Sequence, residues 1–155
     1  MAKPDRGDFA PTSAGWWDYS DACVQYLLRH SERRVGTDLL ADQGAKWIDD
    51  REWGPATRCL GLALEQIHSA AMGGPYRAPN ENVDEPIVLG YNTALLMALA
   101  EHPDFAVGLQ ADAMHKINLL ESMTERGFGR GYRTGAKELR RRFTNPDEVD
   151  QVLPL

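Results

Sequence analysis

Residues 86–101 read PIVLGYNTALLMALAE, and this stretch decides the fold. Asn92 and Thr93 are the only strongly polar residues between its opening proline and its closing glutamate. A helix that is apolar nearly all round belongs in the interior of a domain. Its longest apolar run, 94–100, is far shorter than the roughly 20 residues that cross a bilayer. We therefore expect a central helix over 86–101, opened by Pro86.

Apolar residues also recur with helical spacing on both sides of this stretch. Ala and Leu together number 35 whereas Val and Ile number 11, which favours helices over strands. The remaining predicted helices cover about residues 15–35, 37–53, 55–72, 105–125 and 134–143, with a last start signal at Asn145-Pro146. The sequence thus predicts a single all-α domain of about five main helices packed around the central one, with short C-terminal helices.

The same spacing divides the chain into three parts. Residues 1–14 form a polar N-terminal arm, residues 15–126 form the helical domain, and residues 127–155 form a Gly/Arg-rich segment with short C-terminal helices. The longest internal break is 73–84, which contains two Pro, two Gly and two Asn. A connection of about 12 residues is longer than most in compact domains, so it is a candidate functional loop.

The charge of this 155-residue chain is low overall and uneven along its length. The formal net charge is −6, which excludes a polycation that coats nucleic acid over its whole surface. Residues 126–142, however, carry seven cations against the single anion Glu138. Such an asymmetry indicates a local contact surface.

The cysteine count and the N-terminal sequence indicate the cell compartment. The chain has two cysteines, Cys23 and Cys59, and it is large enough to be stable through its core without a disulfide. Residues 1–15 contain no apolar segment like that of a secretory signal. We expect a cytoplasmic protein with free, mostly buried thiols.

Two short patterns suggest a metal site. Glu65-x-x-His68 and Asp112-x-x-His115 have the spacing that points two ligands from one helix into a bundle with two metal ions. At about 100° per residue, however, Asp112 and His115 lie on the solvent side of their helix. The central helix also offers no inward carboxylate. A small metalloenzyme is therefore a second alternative only, and we expect no metal and no cofactor.

The other ionisable groups do not converge on a reaction in the sequence. His30 falls on the apolar face of the first helix, where a packed role is usual, and His102 lies at a helix end. The acidic groups near helix ends are expected to be solvated; they are Asp49, Asp50, Glu52, Glu81, Asp84 and Glu85. We therefore expect a protein without catalytic residues.

The Gly/Arg-rich segment is the first candidate contact surface. Arginine grips phosphate or carboxylate with two donors, and glycine lets a backbone approach a ligand closely. The expected anion-binding side chains are Arg126, Arg130, Arg133, Lys137, Arg140, Arg141 and Arg142, with Phe128 and Tyr132 available to stack or pack. Nucleic acid or another polyanion is the first alternative ligand, beside a protein partner or the protein's own acidic faces.

The second candidate surface is an apolar stripe on the first helix. Trp17, Val24 and Leu28 lie outside its main apolar face, so either the helix is nearly central or the stripe meets another chain. From the two surfaces together we predict a non-catalytic interaction or accessory protein. It would belong to an oligomer or larger assembly, bind a protein partner or a second copy of itself, and make no contact with a membrane.

Overall fold

The computed structural model describes residues 2–74, 78–127 and 129–143. Within these residues the chain forms six α-helices and no strand, which confirms the predicted all-α class. The helices are α1 (Ser13–His30), α2 (Thr37–Asp49), α3 (Trp53–Ala71), α4 (Glu81–Glu101), α5 (Ala106–Glu125) and α6 (Arg130–Phe143). Two short 3₁₀ turns, Arg6–Asp8 and Pro103–Phe105, precede α1 and α5.

Helix α4 lies at the centre of the domain, as its composition predicts. It packs against α2, α3, α5 and α6. Tyr91, Leu95 and Leu99 follow one another at four-residue spacing and are fully buried. One expectation needs correction, because Leu89 is 56% exposed and α4 therefore keeps a solvent-facing side.

The start of α4 also differs from the prediction. The helix begins at Glu81 rather than at Pro86, so Pro86 lies inside it. The backbone N–H of Asn82 donates to Asn80 Oδ1 (3.1 Å), and the backbone N–H of Asn80 donates to Asp84 Oδ2 (2.9 Å). These two bonds satisfy free amides of the first turn, so the helix can begin before the proline.

Other helix boundaries also differ from the prediction. Helix α1 ends at His30 instead of continuing to residue 35, because Ser31 takes an extended conformation and its Oγ accepts the backbone N–H of Arg33 (3.1 Å). Helix α6 begins at Arg130, four residues before its predicted start at residue 134. The predicted start at Asn145 lies outside the described residues.

The N-terminal arm is held against the start of α1. The Arg6 guanidinium donates to the carbonyls of Ala10 (2.8 Å) and Thr12 (3.1 Å). Thr12 in turn accepts the backbone N–H of Gly15 with its Oγ1 (3.0 Å) and caps α1. In the described part of the chain, no helix has the length and the apolar character that crossing a membrane requires.

A close approach at the start of α3 yields a stability prediction. A Cβ on Gly54 would lie 2.0 Å from Ser20 Oγ and 2.8 Å from the Trp16 ring, and both neighbours are buried. Gly54→Ala should lower the free energy of unfolding by about 1–3 kcal/mol through overpacking, measured by urea denaturation. Gly7→Ala, where the nearest neighbour is 3.5 Å away, is the control. Equal stability of the two variants would contradict this packing.

Candidate functional site

The basic residues of the C-terminal segment lie mainly on α6, and the amphipathic character of this helix decides which of them reach solvent. Its apolar side is buried against α4 and α5 through Tyr132, Ala136, Leu139 and Phe143. Arg130, Arg133, Lys137 and Arg141 are exposed on the opposite side. At 100° per residue these four side chains fall within an arc of about 80°. We call them the basic face of α6.

Of the three remaining predicted cations, two form ion pairs within the protein and one is exposed. Arg140 pairs with Glu121 of α5 (2.7 Å), and Arg142 pairs with Glu138 (2.6 Å). Arg141 also contacts Glu138 (2.8 Å) but keeps 64% of its side chain exposed. Arg126 is exposed in the turn after α5. Phe128 lies outside the described residues, and Tyr132 is buried rather than available for stacking on a ligand.

The apolar stripe predicted on α1 is largely covered by the protein itself. Val24 is only 3% exposed, so it cannot contact a partner. Trp17 packs near Phe105 (ring centroids 5.8 Å apart) and lies under the Arg58 guanidinium (4.4 Å), and Leu28 is half-buried against the core. The prediction treated α1 alone, whereas α3 and the Pro103–Phe105 turn pack on it.

Helices α3 and α5 bring together three of the four residues of the two carboxylate-x-x-histidine patterns. Glu65 Oε1 lies 3.2 Å from His115 Nε2 and 3.2 Å from the Lys116 ammonium, which also lies 3.8 Å from Asp112 Oδ1. The buried Tyr91 hydroxyl donates to Asp112 Oδ2. Asp112 is therefore not on the solvent side, because a tyrosine of the central helix reaches it from below.

The cation within this cluster is the protein's own. Lys116 is 4% exposed and its ammonium lies between the two carboxylates, so the arrangement has a structural explanation. Over residues 2–74, 78–127 and 129–143, no group of three or more His, Cys, Asp or Glu side chains is arranged to hold a metal ion. The burial of Tyr91 raises the pKa of its hydroxyl well above the usual value, and Asp112 adds to this effect.

Asp84, expected to be solvated, is fully buried. It accepts hydrogen bonds from the hydroxyl of Tyr132 and the backbone of Asn80. The side chain of Glu81 lies outside the described part of the chain. Asp50 and Glu52 line a cleft between α1 and α2, and sequence reasoning missed this convergence because the two helices had no predicted relative placement.

One cluster contains the side-chain types of a nucleophilic triad. The Ser13 hydroxyl donates to Asp104 Oδ1 (2.8 Å), and its oxygen lies 3.0 Å from His102 Nδ1. The aspartate thus contacts the serine itself, whereas in a nucleophilic triad it contacts and orients the imidazole. His102 stacks on Trp16 (3.9 Å between centroids), so the cluster fastens the end of α4 to the start of α1.

Replacing the buried Lys116 tests whether the α3–α5 cluster stabilises the fold. Lys116→Met should lower the free energy of unfolding by about 1–3 kcal/mol, because Asp112 and Glu65 lose the cation between them. The exposed Lys137→Met should change it by less than about 0.5 kcal/mol. Chemical denaturation measures both; a Lys116 variant as stable as the parent would show that the cluster does not stabilise the fold.

Burial lowers the pKa of His102, against the opposing effects of Glu101 and Asp104. The folded state thus favours the neutral imidazole. The associated stability is present above the unfolded-state pKa near 6.5 and is lost as the pH falls below it. His102→Gln should therefore lose less unfolding free energy than the parent between about pH 7.5 and 5.5. Equal slopes for the His102 variant and the parent would exclude this coupling.

No protein-family model matches this chain, and neither a curated protein nor a solved structure matches it. Its function is therefore argued from its own residues and their geometry.

Proposed function

We propose that this protein is a non-catalytic interaction protein that binds an acidic segment of a protein partner along the basic face of α6. The observation that carries the proposal is the placement of Arg130, Arg133, Lys137 and Arg141 on one exposed side of a helix whose other side is buried. The buried side fixes the rotation of the helix, so the four cations are presented to solvent together.

The length and composition of this face suit a short segment of protein. The twelve residues from Arg130 to Arg141 span about 17 Å of helix axis. Arginine forms paired hydrogen bonds with carboxylates, which gives orientation as well as attraction. Within the described part of the chain, no carboxylate forms an ion pair with Arg130, Arg133 or Lys137. These three side chains can therefore bind a partner without breaking an internal pair.

The surroundings of the basic face favour an acidic protein segment over nucleic acid. Glu121 lies beside α6 through its contact with Arg140, and Glu138 lies on α6 itself. The chain as a whole carries a charge of −6. A nucleic-acid duplex would extend beyond the basic face and meet this negative charge, whereas a short acidic helix or strand could stay on it.

Membership of an assembly and a cytoplasmic location complete the proposal. The exposed apolar side chains on the outer side of α4, Val83 and Leu89, offer a surface for further contacts in place of the covered stripe on α1. Both cysteines are free, in keeping with a reducing compartment.

The test compares binding of two labelled probes by fluorescence anisotropy. One is a glutamate-rich peptide about as long as α6, and the other is a short DNA duplex. The peptide should bind more tightly than the duplex at low salt, and its affinity should fall as salt rises from about 50 to 200 mM. The variant Arg130→Gln/Arg133→Gln/Lys137→Gln should lose about tenfold or more in peptide affinity.

A matched variant controls for net charge. Arg29→Gln/Arg34→Gln/Lys46→Gln removes the same charge from exposed positions in the N-terminal third of the chain, outside α6. This variant should bind the peptide within about twofold of the parent. Equal losses of peptide affinity in both variants would show that the overall charge of the protein attracts the peptide and that no defined site binds it. Tighter binding of the duplex, lost only in the α6 variant, would replace the proposal with nucleic-acid recognition.

A further inference from the structure

A cleft of about 400 Å³ lies where the N-terminal arm, α1 and α2 meet, and it opens to solvent. This volume falls within the range of about 300–1,000 Å³ that small-molecule sites occupy. The cleft is separate from the basic face, since none of its lining residues belongs to α5 or α6. The proposed partner binding makes no use of it.

Three aromatic residues, Tyr19, Tyr26 and Trp47, line this cleft. Two of the rings are braced by neighbours. Phe9 meets Tyr19 edge-on at 5.8 Å, and His30 stacks on Tyr26 at 4.3 Å. Aromatic rings present negative charge on their faces and attract organic cations, most strongly where water is partly excluded.

Two carboxylates, Asp50 and Glu52, line the same cleft. They flank Arg51, a non-glycine residue in the left-handed conformation (φ 58°). The backbone N–H of Glu52 donates to the carbonyl of Trp47 (2.8 Å), which closes the turn between α2 and α3. This turn places a carboxylate next to the tryptophan, so the negative group and the aromatic surface share one cavity.

Among the described residues, no Lys or Arg forms an ion pair with Glu52. Burial raises the pKa of its carboxyl group, and the charges of Asp50 and Glu101 raise it further. Lys3 is the one Lys or Arg among the lining residues, and it is exposed on the arm. The cleft is therefore a partly desolvated site with an excess of negative charge, and such a site attracts a mobile cation.

We propose that this cleft binds an organic ammonium ion, with the carboxylate of Glu52 as counter-ion and the three aromatic rings around its apolar body. A metal ion is a poor fit, because among the described residues no three His, Cys, Asp or Glu side chains are arranged to hold one. A neutral aromatic molecule would fill the volume but leave the carboxylate without a partner. The exposed Lys3 ammonium competes with the ligand for the same negative charge.

Calorimetric titration with 2-phenylethylamine and its neutral analogue 2-phenylethanol tests the proposal. The amine should bind at least about tenfold more tightly than the alcohol. Glu52→Gln should weaken amine binding about tenfold and leave the alcohol unaffected. Glu125→Gln removes the same charge from an exposed position at the end of α5, outside the cleft, and should change amine affinity by less than about twofold. Lys3→Gln should strengthen amine binding.

Alkylation of Cys23 gives a second readout that needs no variant. Cys23 lines the cleft and is partly exposed, whereas Cys59 is buried and its Sγ donates to the Leu40 carbonyl (3.2 Å). Bound amine should slow the reaction of Cys23 with iodoacetamide, followed by peptide mass spectrometry. The native protein should leave Cys59 unmodified throughout, since burial raises the pKa of its thiol to about 12.

Three results would overturn the proposal. Equal binding of amine and alcohol would show an apolar pocket without charge recognition. Unchanged Cys23 alkylation at saturating amine would place the ligand elsewhere. Absence of binding by both 2-phenylethylamine and the quaternary probe benzyltrimethylammonium would show that the cleft takes no organic cation. Because the Lys3 variant and the alkylation assay do not depend on Glu52→Gln, a folding defect in that variant does not remove the test.

Discussion

Two tyrosine–aspartate hydrogen bonds link the central helix to its C-terminal neighbours. Tyr91 of α4 donates to Asp112 of α5, and Tyr132 of α6 donates to Asp84 of α4. Apolar contacts along α4 are non-directional, whereas a hydrogen bond needs its partner at one position. The buried carboxylate of Asp84 would also be costly without a donor. The two bonds therefore add a specific constraint on the register of α4 against α5 and α6.

The hydrogen bond between Tyr132 and Asp84 also determines which residues of α6 reach the surface. Because Tyr132 faces inward toward Asp84, the residues on the other side of α6 face outward, and these are the cations of the basic face. In α5, Asp112 faces Tyr91. One turn later Lys116 is buried, with its ammonium between the carboxylates of Asp112 and Glu65. The same physical requirement, that a buried polar group must have a partner, thus explains why one lysine is hidden and why Lys137 is exposed.

The sequence predicted the helical class and the central position of α4, because both depend on composition and on the periodicity of apolar residues. It did not predict the burial of Asp84 or the hydrogen bond to the partly buried Asp112. A helical wheel ranks positions only by their angle to the apolar face, whereas each of these carboxylates accepts a hydrogen bond from a tyrosine on another helix. The prediction that Val24 contacts a partner was wrong for a related reason, since α3 covers a side of α1 that no local pattern marks as a contact. The cleft between α1 and α2 was beyond prediction because it depends on the turn at Arg51.

The helix packing places the basic and the acidic segments of the chain on different surfaces of the domain. The basic face belongs to α6, which packs on α4 and α5, whereas the aromatic cleft is formed by the arm, α1 and α2. A cation attracted to the cleft does not have to pass the arginines of α6, and an acidic segment on α6 does not meet Asp50 or Glu52. The two proposed sites would interfere with each other if their charges were mixed on one surface. Their separation on different helices lets a single small domain attract ligands of opposite charge.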